Sequence, residues 1–351
     1  MFRLLSVSTL LLILASTSAW AQQETPEQRL GVSIEKIWDR APHNSSTDLI
    51  WYQSHLYCSF REGTSLRPGF NGAIRVIRSK DGQNWESVAL LDEPHADLRD
   101  PKLSVAPTGR LMINASAFLY QGTTLMKVEP RVNYSDEEGK FPMAFRSVGI
   151  PDDLKTGMDV MWRVTWHKGA AYSTLFHGSP AGKNKIHLMR SADGQSYAKV
   201  QTMPVPVVDA PAEATLRFLS TDAMVALIRC NTQTGTKCGV ARPPYNDWTF
   251  KVTEREFAEP DLLWLPDNLW VAAGRERRGM GSAVRLCRLL QTTGTLIDYI
   301  TLPGNGDCGA PGMAVDEKRN RLLVSYHSTH EGKTAIYLAT LRIERLYDVN
   351  P

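Results

Sequence analysis

The sequence lacks several features that would assign it to a common class of protein. Its 351 residues include 40 lysines and arginines against 37 aspartates and glutamates, so the formal net charge is only +3. A protein that binds nucleic acid would need a dense basic face, and this balance argues against DNA or RNA as a partner. Low-complexity tracts and long runs of charge are also missing, so no disordered tail is predicted.

Signatures of nucleotide and serine chemistry are missing as well. The chain has no glycine-rich phosphate loop and no Gly-x-Ser-x-Gly nucleophile elbow. Its five cysteines do not have the spacing of a zinc site, and no metal or cofactor is expected. Their odd number leaves at least one thiol without a partner in the chain. In the segment CNTQTGTKC, Cys230 and Cys238 would close a short hairpin loop, and a disulfide is predicted between them.

Only the N-terminus carries a long apolar run. The segment MFRLLSVSTLLLILASTSAWAQQ has one positive charge, at Arg3, and its apolar run ends in the small-residue pattern at residues 19–21. This pattern is typical of a secretory signal peptide cleaved after Ala21, and the run is short for a membrane span. We therefore expect a soluble secreted or periplasmic protein that is not inserted in the membrane. Residues 1–21 would be the signal peptide, 22–44 a lead-in segment and 45–351 the folded domain.

A pair of short apolar strands joined by a tight turn recurs six times, and helical periodicity is almost absent. The starts of the copies are 47 to 60 residues apart, which brackets the length of a four-stranded propeller blade. Between copies lies a second strand pair with Asp-Gly or Thr-Gly turns. The sequence therefore predicts an all-β, six-bladed β-propeller, with a large β-sandwich as the alternative. The copies are residues 48–62, 102–118, 162–177, 214–229, 261–276 and 312–328.

Two turns share the form Ser-x-Asp-x-x-x-aromatic with glycine after the aspartate. They are SKDGQNW at 79–85 and SADGQSY at 191–197. The aspartate caps turn amides, the glycine takes positive φ and the aromatic ring packs back on the blade. This motif resembles the Asp-box of the sialidase superfamily, and 133–141 and 242–250 look like divergent copies. The resemblance implies the propeller fold and places the motif on the outer rim, away from the chemistry.

Three arginines share one register when the second strands of the copies are aligned. Superposing LYCSFR, MVALIR, WVAAGR and LLVSYH brings Arg61, Arg229 and Arg275 to equivalent strand ends. Equivalent positions in successive blades are related by rotation about the axis, so these side chains should ring one face of the central channel. Planar guanidinium groups bind carboxylate or sulfate in bidentate fashion, which predicts an anion-binding floor. The alternative is that the three are structural arginines, each paired with a blade carboxylate.

The resemblance to sialidases implies roles for further residues. Sialidases bind the substrate carboxylate with an arginine triad, attack with a tyrosine that a glutamate activates, and use an aspartate as acid and base. The matching positions are Tyr326 for the nucleophile, Glu213 for its activator, and Asp100 or Asp97 for the acid. Three more residues are expected to contact the substrate, namely Glu62, Arg99 and His330.

The chain departs from the family around its first arginine. The family carries Arg-Ile-Pro where this sequence has Arg61-Glu62-Gly63, and Glu276 follows Arg275 in the same way. Neighbouring residues on a strand point to opposite faces, so each glutamate can be turned away from the arginine. A secreted exo-glycosidase acting on acidic glycans is therefore expected, most simply a retaining exo-α-sialidase.

Two other functions stay open. One is a propeller-type polysaccharide lyase on uronate chains, with Tyr326 and His330 as base and acid; the other is a carbohydrate-binding propeller without turnover. Glu259 and Asp261, at the entry to the fifth copy, are candidates for channel carboxylates or turn caps.

Overall fold

The computed structural model describes residues 24–66, 71–177, 185–231 and 235–349. The predicted signal peptide and its cleavage site lie outside these ranges. Within them, no helix has the length and apolarity that crossing a membrane requires.

The chain folds into six antiparallel sheets arranged as a six-bladed β-propeller, which confirms the predicted fold class. The innermost strands of neighbouring blades pack on one another around the axis, β2 against β6 and β23, and β19 against β15 and β23.

The strands of each blade are given from the axis outward. The first blade is β2 (His43–Tyr52), β3 (His55–Gly63), β4 (Ala73–Ser79) and β5 (Glu86–Leu91); the second is β6 (Ala96–Val105), β7 (Leu111–Gln121), β8 (Thr124–Tyr134) and β9 (Arg146–Ser147). The third is β10 (Asp159–Met161), β12 (Ala170–His177), β13 (Ile186–Ser191) and β14 (Ala198–Thr202), with β11 (Thr165–His167) also paired to β12. The fourth is β15 (Pro211–Phe218), β16 (Met224–Cys230), β17 (Lys237–Ala241) and β18 (Trp248–Val252); the fifth is β19 (Ala258–Leu265), β20 (Leu269–Arg278), β21 (Gly281–Leu290) and β22 (Thr295–Thr301). The sixth is β23 (Cys308–Asp316), β24 (Arg321–Ser328), β25 (Ala335–Arg342) and β1 (Ser33–Trp38). Two short α-helices flank the ring, α1 (Pro26–Leu30) and α2 (Ile343–Tyr347), and single 3-10 turns lie at Asp152–Leu154, Val207–Asp209 and Pro266–Asn268.

The sixth blade takes its outermost strand from the N-terminus. β1 pairs antiparallel with β25, from Ser33 opposite Thr340 to Trp38 opposite Ile336. Residues 33–38, which the sequence analysis left in a lead-in segment, thus belong to the ring. A pairing between residues about 300 apart leaves no local signal in the sequence. Closing the ring this way covers the edge of β25, which would otherwise stay unpaired.

Five innermost strands carry a β-bulge near the end where they enter the blade. A bulge inserts an extra residue into one strand and re-aims the side chains beside it. Ser46, Asp100, Glu259 and Ala310, within four of these bulges, have positive φ angles between 45° and 57°. The bulges therefore decide which side chains reach the axis and which reach the rim. They lie between Ser45 and Asp48, Arg99 and Lys102, Pro211 and Ala214, Ala258 and Asp261, and Gly309 and Gly312.

The two Ser-x-Asp turns join the third and fourth strands of their blades and have the same hydrogen bonds. The amide of Gly82 donates to Ser79 Oγ over 2.9 Å, and that of Gly194 donates to Ser191 Oγ over 2.9 Å. Asp81 Oδ1 in turn accepts the amide of the second residue after it, at 2.8 Å. The aspartate and serine therefore satisfy turn amides, as the sequence predicts.

The predicted Cys230–Cys238 disulfide is wrong. Both thiols are free and buried, as are the other cysteines of the described chain. The last cross-strand pair of β16 and β17 joins Ile228 to Lys237, and Cys238 lies opposite Leu227. Cys230 is therefore beyond the paired region, and the two sulfur atoms lack the cross-strand placement that a disulfide requires.

Candidate active site

One face of the propeller gathers charged side chains from five blades. They lie where the innermost strands begin and the second strands end, and we call this surface the charged face. Its members are His43, Arg61, Asp97, Arg99, Glu213, Arg229, Glu259, Arg275, Asp307 and His327.

Arg61 is fully buried, and each of its nitrogens has a partner. Nε donates to Asp97 Oδ1 over 2.8 Å, Nη2 donates to the Ser65 carbonyl over 3.0 Å, and Nη1 lies 3.3 Å from His43 Nδ1. The other oxygen of Asp97 accepts Arg99 Nε over 2.6 Å. Gly72 leaves room for this group, since a Cβ there would overlap both Asp97 and Arg61. Arg61, Asp97 and Arg99 thus form an enclosed ion cluster.

The other two predicted arginines are each paired with a glutamate 16 residues earlier. Arg229 Nη1 lies 2.9 Å from Glu213 Oε1, and Arg275 Nη2 lies 3.2 Å from Glu259 Oε1. Unlike Arg61, these groups reach solvent, with side-chain exposures of 21% for Arg229 and 28% for Arg275. The two pairs are neighbours, because Glu213 acts electrostatically on Arg275.

Glu259 is held as a carboxylate. Burial opposes its ionisation, but the positive charge of Arg275, together with His327, the Ala310 amide and Arg229, outweighs burial and lowers the pKa of Glu259 below its ordinary value. The Ala310 amide donates to Oε2 over 2.7 Å. The chain approaches closely here, since a Cβ on Gly309 would overlap the carboxylate of Glu259.

Asp307 lies between two histidines at the start of the sixth blade. Its Oδ2 is 2.7 Å from His43 Nε2, and its Oδ1 is 3.3 Å from His327 Nε2. The Ser46 amide donates to His327 Nδ1, and Arg61 donates to His43 Nδ1, so each ring turns its Nε2 toward Asp307. Burial opposes ionisation of Asp307, but the hydrogen bonds from the two histidines outweigh it and lower the pKa of Asp307.

Asp307 and His43 were not predicted from the sequence. For His327, which lies next to Asp307, the sequence does contain a signal, because the segment LLVSYH aligns it with the strand-end arginines. Asp307 precedes its strand and has no counterpart in the repeat pattern.

Glu62 and Glu276 point away from the charged face, as strand alternation allows. Glu62 accepts the Trp38 indole N–H over 2.5 Å and Arg75 Nη2 over 2.9 Å, and Glu276 bonds to Arg255 and Arg285. The expectation that Glu62 binds substrate is therefore not supported, because its side chain faces the outer part of its blade.

Tyr326 does not reach the charged face either. Its ring is fully buried in the core cluster that contains Val284, Val324 and Tyr337, and its hydroxyl has no hydrogen-bond partner among the described residues. Burial raises the pKa of Tyr326 well above its ordinary value. The placement gives no support to Tyr326 as nucleophile, since the next residue, His327, is the one that faces the site.

The remaining predicted residues are dispersed. Asp100 lies in the bulge of β6, and its charge acts on Lys102 near the axis. His330 follows β24, where Nδ1 lies 2.9 Å from Ser328 Oγ and the ring lies 4.6 Å from that of Tyr337. No group of three or more histidine, cysteine, aspartate or glutamate side chains suited to a metal ion occurs in the described ranges.

Behind the charged face, the channel contains a second group of ions, which we call the axial cluster: Asp48, Lys102, Arg163, Arg217 and Asp261. Arg163 bridges the two aspartates, with Nη1 2.6 Å from Asp48 and Nε 3.3 Å from Asp261. Arg217 Nη2 lies 2.9 Å from the same oxygen of Asp261, and Lys102 Nζ donates to the Thr47 carbonyl over 3.1 Å. Asp48 and Lys102 escaped the sequence analysis although both follow a bulge at matching positions of β2 and β6.

Comparison with known proteins identifies the fold. The sequence matches no family model, and no curated protein matches it significantly. Among solved structures, a protein of unknown function from Dyadobacter fermentans has a TM-score of 0.72 and 18% identity, over 88% of this chain and 99% of that one. A Penicillium chrysogenum alpha-L-arabinanase complexed with arabinobiose has a TM-score of 0.64 and 13% identity, over 89% and 98%. A Trypanosoma rangeli sialidase in complex with sialic acid has a TM-score of 0.68 and 11% identity, over 90% of this chain and 60% of that one. At these identities, the likeness shows the propeller fold alone.

Proposed function

We propose that the protein is a glycoside hydrolase that acts at the charged face, with Glu213 and Glu259 as its reacting carboxylates. One observation carries this proposal: two glutamates at matching positions of adjacent blades are partly exposed on the same face, each oriented by an arginine. A pair of carboxyl groups flanking the scissile bond is the usual machinery of glycoside hydrolysis. The solved propellers described above include an arabinanase and a sialidase, which supports a sugar as substrate.

The contacts of the two glutamates suggest their roles. Glu259 receives two nitrogens of Arg275 and the Ala310 amide, whereas Glu213 is bonded through the single nitrogen Nη1 of Arg229. Glu259 is the more strongly stabilised carboxylate and suits the nucleophile or base. Glu213 then donates its proton to the glycosidic oxygen as the bond from that oxygen to the anomeric carbon breaks. Asp307, ionised and held by two histidines, would accept hydrogen bonds from sugar hydroxyl groups.

The charge balance favours an uncharged sugar over the acidic sugar expected from the sequence. With every carboxyl group ionised, before Glu213 takes up the proton that it donates, four arginines of the charged face are matched by four carboxylates. Its described residues then have no excess positive charge to attract an anionic substrate. Arg61 and Arg99 share Asp97, Arg229 pairs with Glu213 and Arg275 pairs with Glu259. The fourth carboxylate, Asp307, acts on Arg275 from farther away.

A sialidase-type activity on acidic glycans is the second candidate. The solvent-accessible guanidinium groups of Arg229 and Arg275 favour it, because a substrate carboxylate could bind them in place of a glutamate.

Incubation with a panel of neutral and acidic glycosides, α-L-arabinofuranosides and sialosides among them, tests both candidates by mass spectrometry of the products. Glu213→Gln and Glu259→Gln should each lower the turnover of the hydrolysed substrate by about 10²- to 10⁴-fold. Glu276→Gln is the matched control, because this glutamate follows a strand-end arginine but faces away from the site.

Full activity in both site variants would contradict the proposal. Binding without any product would indicate a carbohydrate-binding propeller. An unsaturated product that lacks the mass of water would indicate a lyase.

A further inference from the structure

The axial cluster contains more positive than negative groups. Arg163 and Arg217 are ion-paired with Asp48 and Asp261, whereas no carboxylate of the described chain lies within ion-pair distance of Lys102. Asp100 and Glu259 act on Lys102 from farther away, since no ion pair joins either of them to it in the described part of the chain. Buried charges normally occur in compensated sets, because an uncompensated charge is costly to remove from water.

Two of these cations also have spare hydrogen-bond donors. The side chain of Arg163 is 5% exposed, and no described residue accepts a hydrogen bond from its Nη2. Lys102 is 1% exposed, and its three-donor ammonium group has the Thr47 carbonyl as its hydrogen-bond acceptor and the Trp162 ring 4.6 Å away. Buried donors are nearly always satisfied in folded proteins, so an acceptor is expected beside Nη2.

A cavity gives access to Arg163 and Arg217 from the end of the channel opposite the charged face. It has a volume of about 270 Å³, and its lining includes Arg163, Arg217, Ser104, Thr165 and Trp166. The innermost strands begin at the charged face and run toward this cavity, so the two sites lie at opposite ends of the same strands. A space of this size can hold a small ion together with several water molecules.

We infer that the axial cluster is a binding site for one small monovalent anion of halide size, held by Arg163 and Arg217 at the cavity, with the positive charge of Lys102 behind them. A single bound negative charge would balance the excess cation and accept the free N–H groups of Arg163 Nη2. The three cations belong to the second, third and fourth blades. The anion therefore connects the third and fourth blades at the axis and stabilises the folded ring. This inference does not depend on the proposed hydrolase activity.

Bromide is a suitable probe because it has the charge of chloride and an anomalous X-ray signal. Crystals of the full chain soaked in sodium bromide should show an anomalous peak in contact with Arg163 Nη2. In solution, raising sodium bromide to 100 mM should increase the melting temperature by about 3 °C or more over sodium fluoride at the same ionic strength, because a ligand that binds only the folded state stabilises it. Fluoride is the comparison salt because its strong hydration disfavours burial.

Lys102→Met keeps the length of the side chain and its packing on Trp162 but removes the excess charge. This variant should lose the bromide peak and most of the bromide-specific thermal shift. Lys318→Met, at an exposed lysine, is the matched control and should retain both. If Lys102→Met does not fold, Arg217→Gln removes one positive charge at a partly exposed position and should have the same effect.

A wild-type crystal with bromide only at surface positions would overturn the inference. Equal bromide-specific shifts in Lys102→Met and Lys318→Met would overturn it as well.

Discussion

Tyr326 and His327 are neighbours on β24 but lie on opposite sides of their blade. The tyrosine ring packs between blades, 5.5 Å from the ring of Tyr337, whereas the histidine bonds to Asp307 on the charged face. A shift of one residue along a strand moves a side chain to the other face. Locating the correct strand end is therefore insufficient for naming the reactive residue.

We expect Tyr326→Phe to leave glycosidase activity within about twofold of wild type, since the hydroxyl lies in the core rather than at the site. Its stability should be equal or slightly higher, because a buried hydroxyl without a partner costs free energy of about 1–3 kcal/mol. Turnover and thermal denaturation measure the two effects. A loss of activity above about 100-fold, with the fold intact, would restore the tyrosine nucleophile of the sialidase mechanism.

His187 should make the protein sensitive to mild acid. Burial, with the neighbouring His177, lowers the pKa of His187 from 6.5 to about 4. The unfolded chain therefore binds a proton between these values that the folded chain excludes, so stability is complete above pH 6.5 and falls as the pH decreases toward 4.

The measurement is the melting temperature of wild type and of His187→Gln from pH 4.5 to 7.5. The variant should show the smaller decrease on acidification, and parallel curves would contradict the assignment.

At the level of single residues, the aligned repeats predicted that three strand-end arginines share one face of the propeller, but they did not predict which groups bond to these arginines. Arg61, Arg229 and Arg275 do lie on one face, yet each is bonded to a carboxylate, as the alternative interpretation held. The repeat reveals equivalent positions because each hairpin is local in sequence. Contacts such as Asp48 with Arg163, 115 residues apart, depend on how the blades pack, and no local pattern encodes them.

Among the larger elements, the turn between β13 and β14 depends on a glycine for two reasons. Gly194 has a φ of +70°, and a Cβ there would overlap the Tyr134 hydroxyl and approach Trp166 Cζ2 to 3.0 Å. Gly169, between β11 and β12, has a φ of +78° but no atom within 4 Å of the same position. Comparing substitutions at these two glycines therefore separates the free-energy cost of backbone strain from that of overpacking.

Gly194→Ala should destabilise the fold by about 2–4 kcal/mol, because overpacking adds to the strain of positive φ. Gly169→Ala should cost about 1 kcal/mol, the strain alone. Chemical denaturation of both variants gives the two values. Equal losses would show that the space around Gly194 can adjust.

Predicting the hairpins from sequence succeeded because alternation and turn residues are properties of adjacent residues. The second strand of every predicted copy is the second strand of a blade. The disulfide prediction failed because it assumed a symmetrical loop between β16 and β17, whereas the register pairs Ile228 with Lys237 and leaves Cys230 outside. Loop length in the sequence does not specify that register.

For the molecule as a whole, integrity depends on the N-terminal strand. β1 contributes Trp38, which is buried and donates its indole N–H to Glu62 of the first blade, and α1 contributes the buried Leu30. Each large apolar side chain stabilises the fold by about 1.5–3 kcal/mol, so these elements together hold a large part of a typical total of 5–15 kcal/mol.

A chain that begins at residue 40 should therefore fail to fold cooperatively, or aggregate through the exposed edge of β25. A chain that begins at residue 24 keeps α1 and β1 and is the matched control. Size-exclusion chromatography and circular dichroism distinguish the two. A monomeric, cooperatively melting protein starting at residue 40 would show that the ring closes without β1.

The same closure has a consequence for biosynthesis. Ser33 cannot pair with Thr340 until Thr340 has been synthesised. At a synthesis rate of about 5–20 residues per second, the interval between the two residues lasts roughly 15 to 60 seconds. Throughout that period β1 has no partner strand, and the propeller ring stays open. The sixth blade therefore cannot be completed before β25 has been synthesised, although the strands of the first five blades are available earlier.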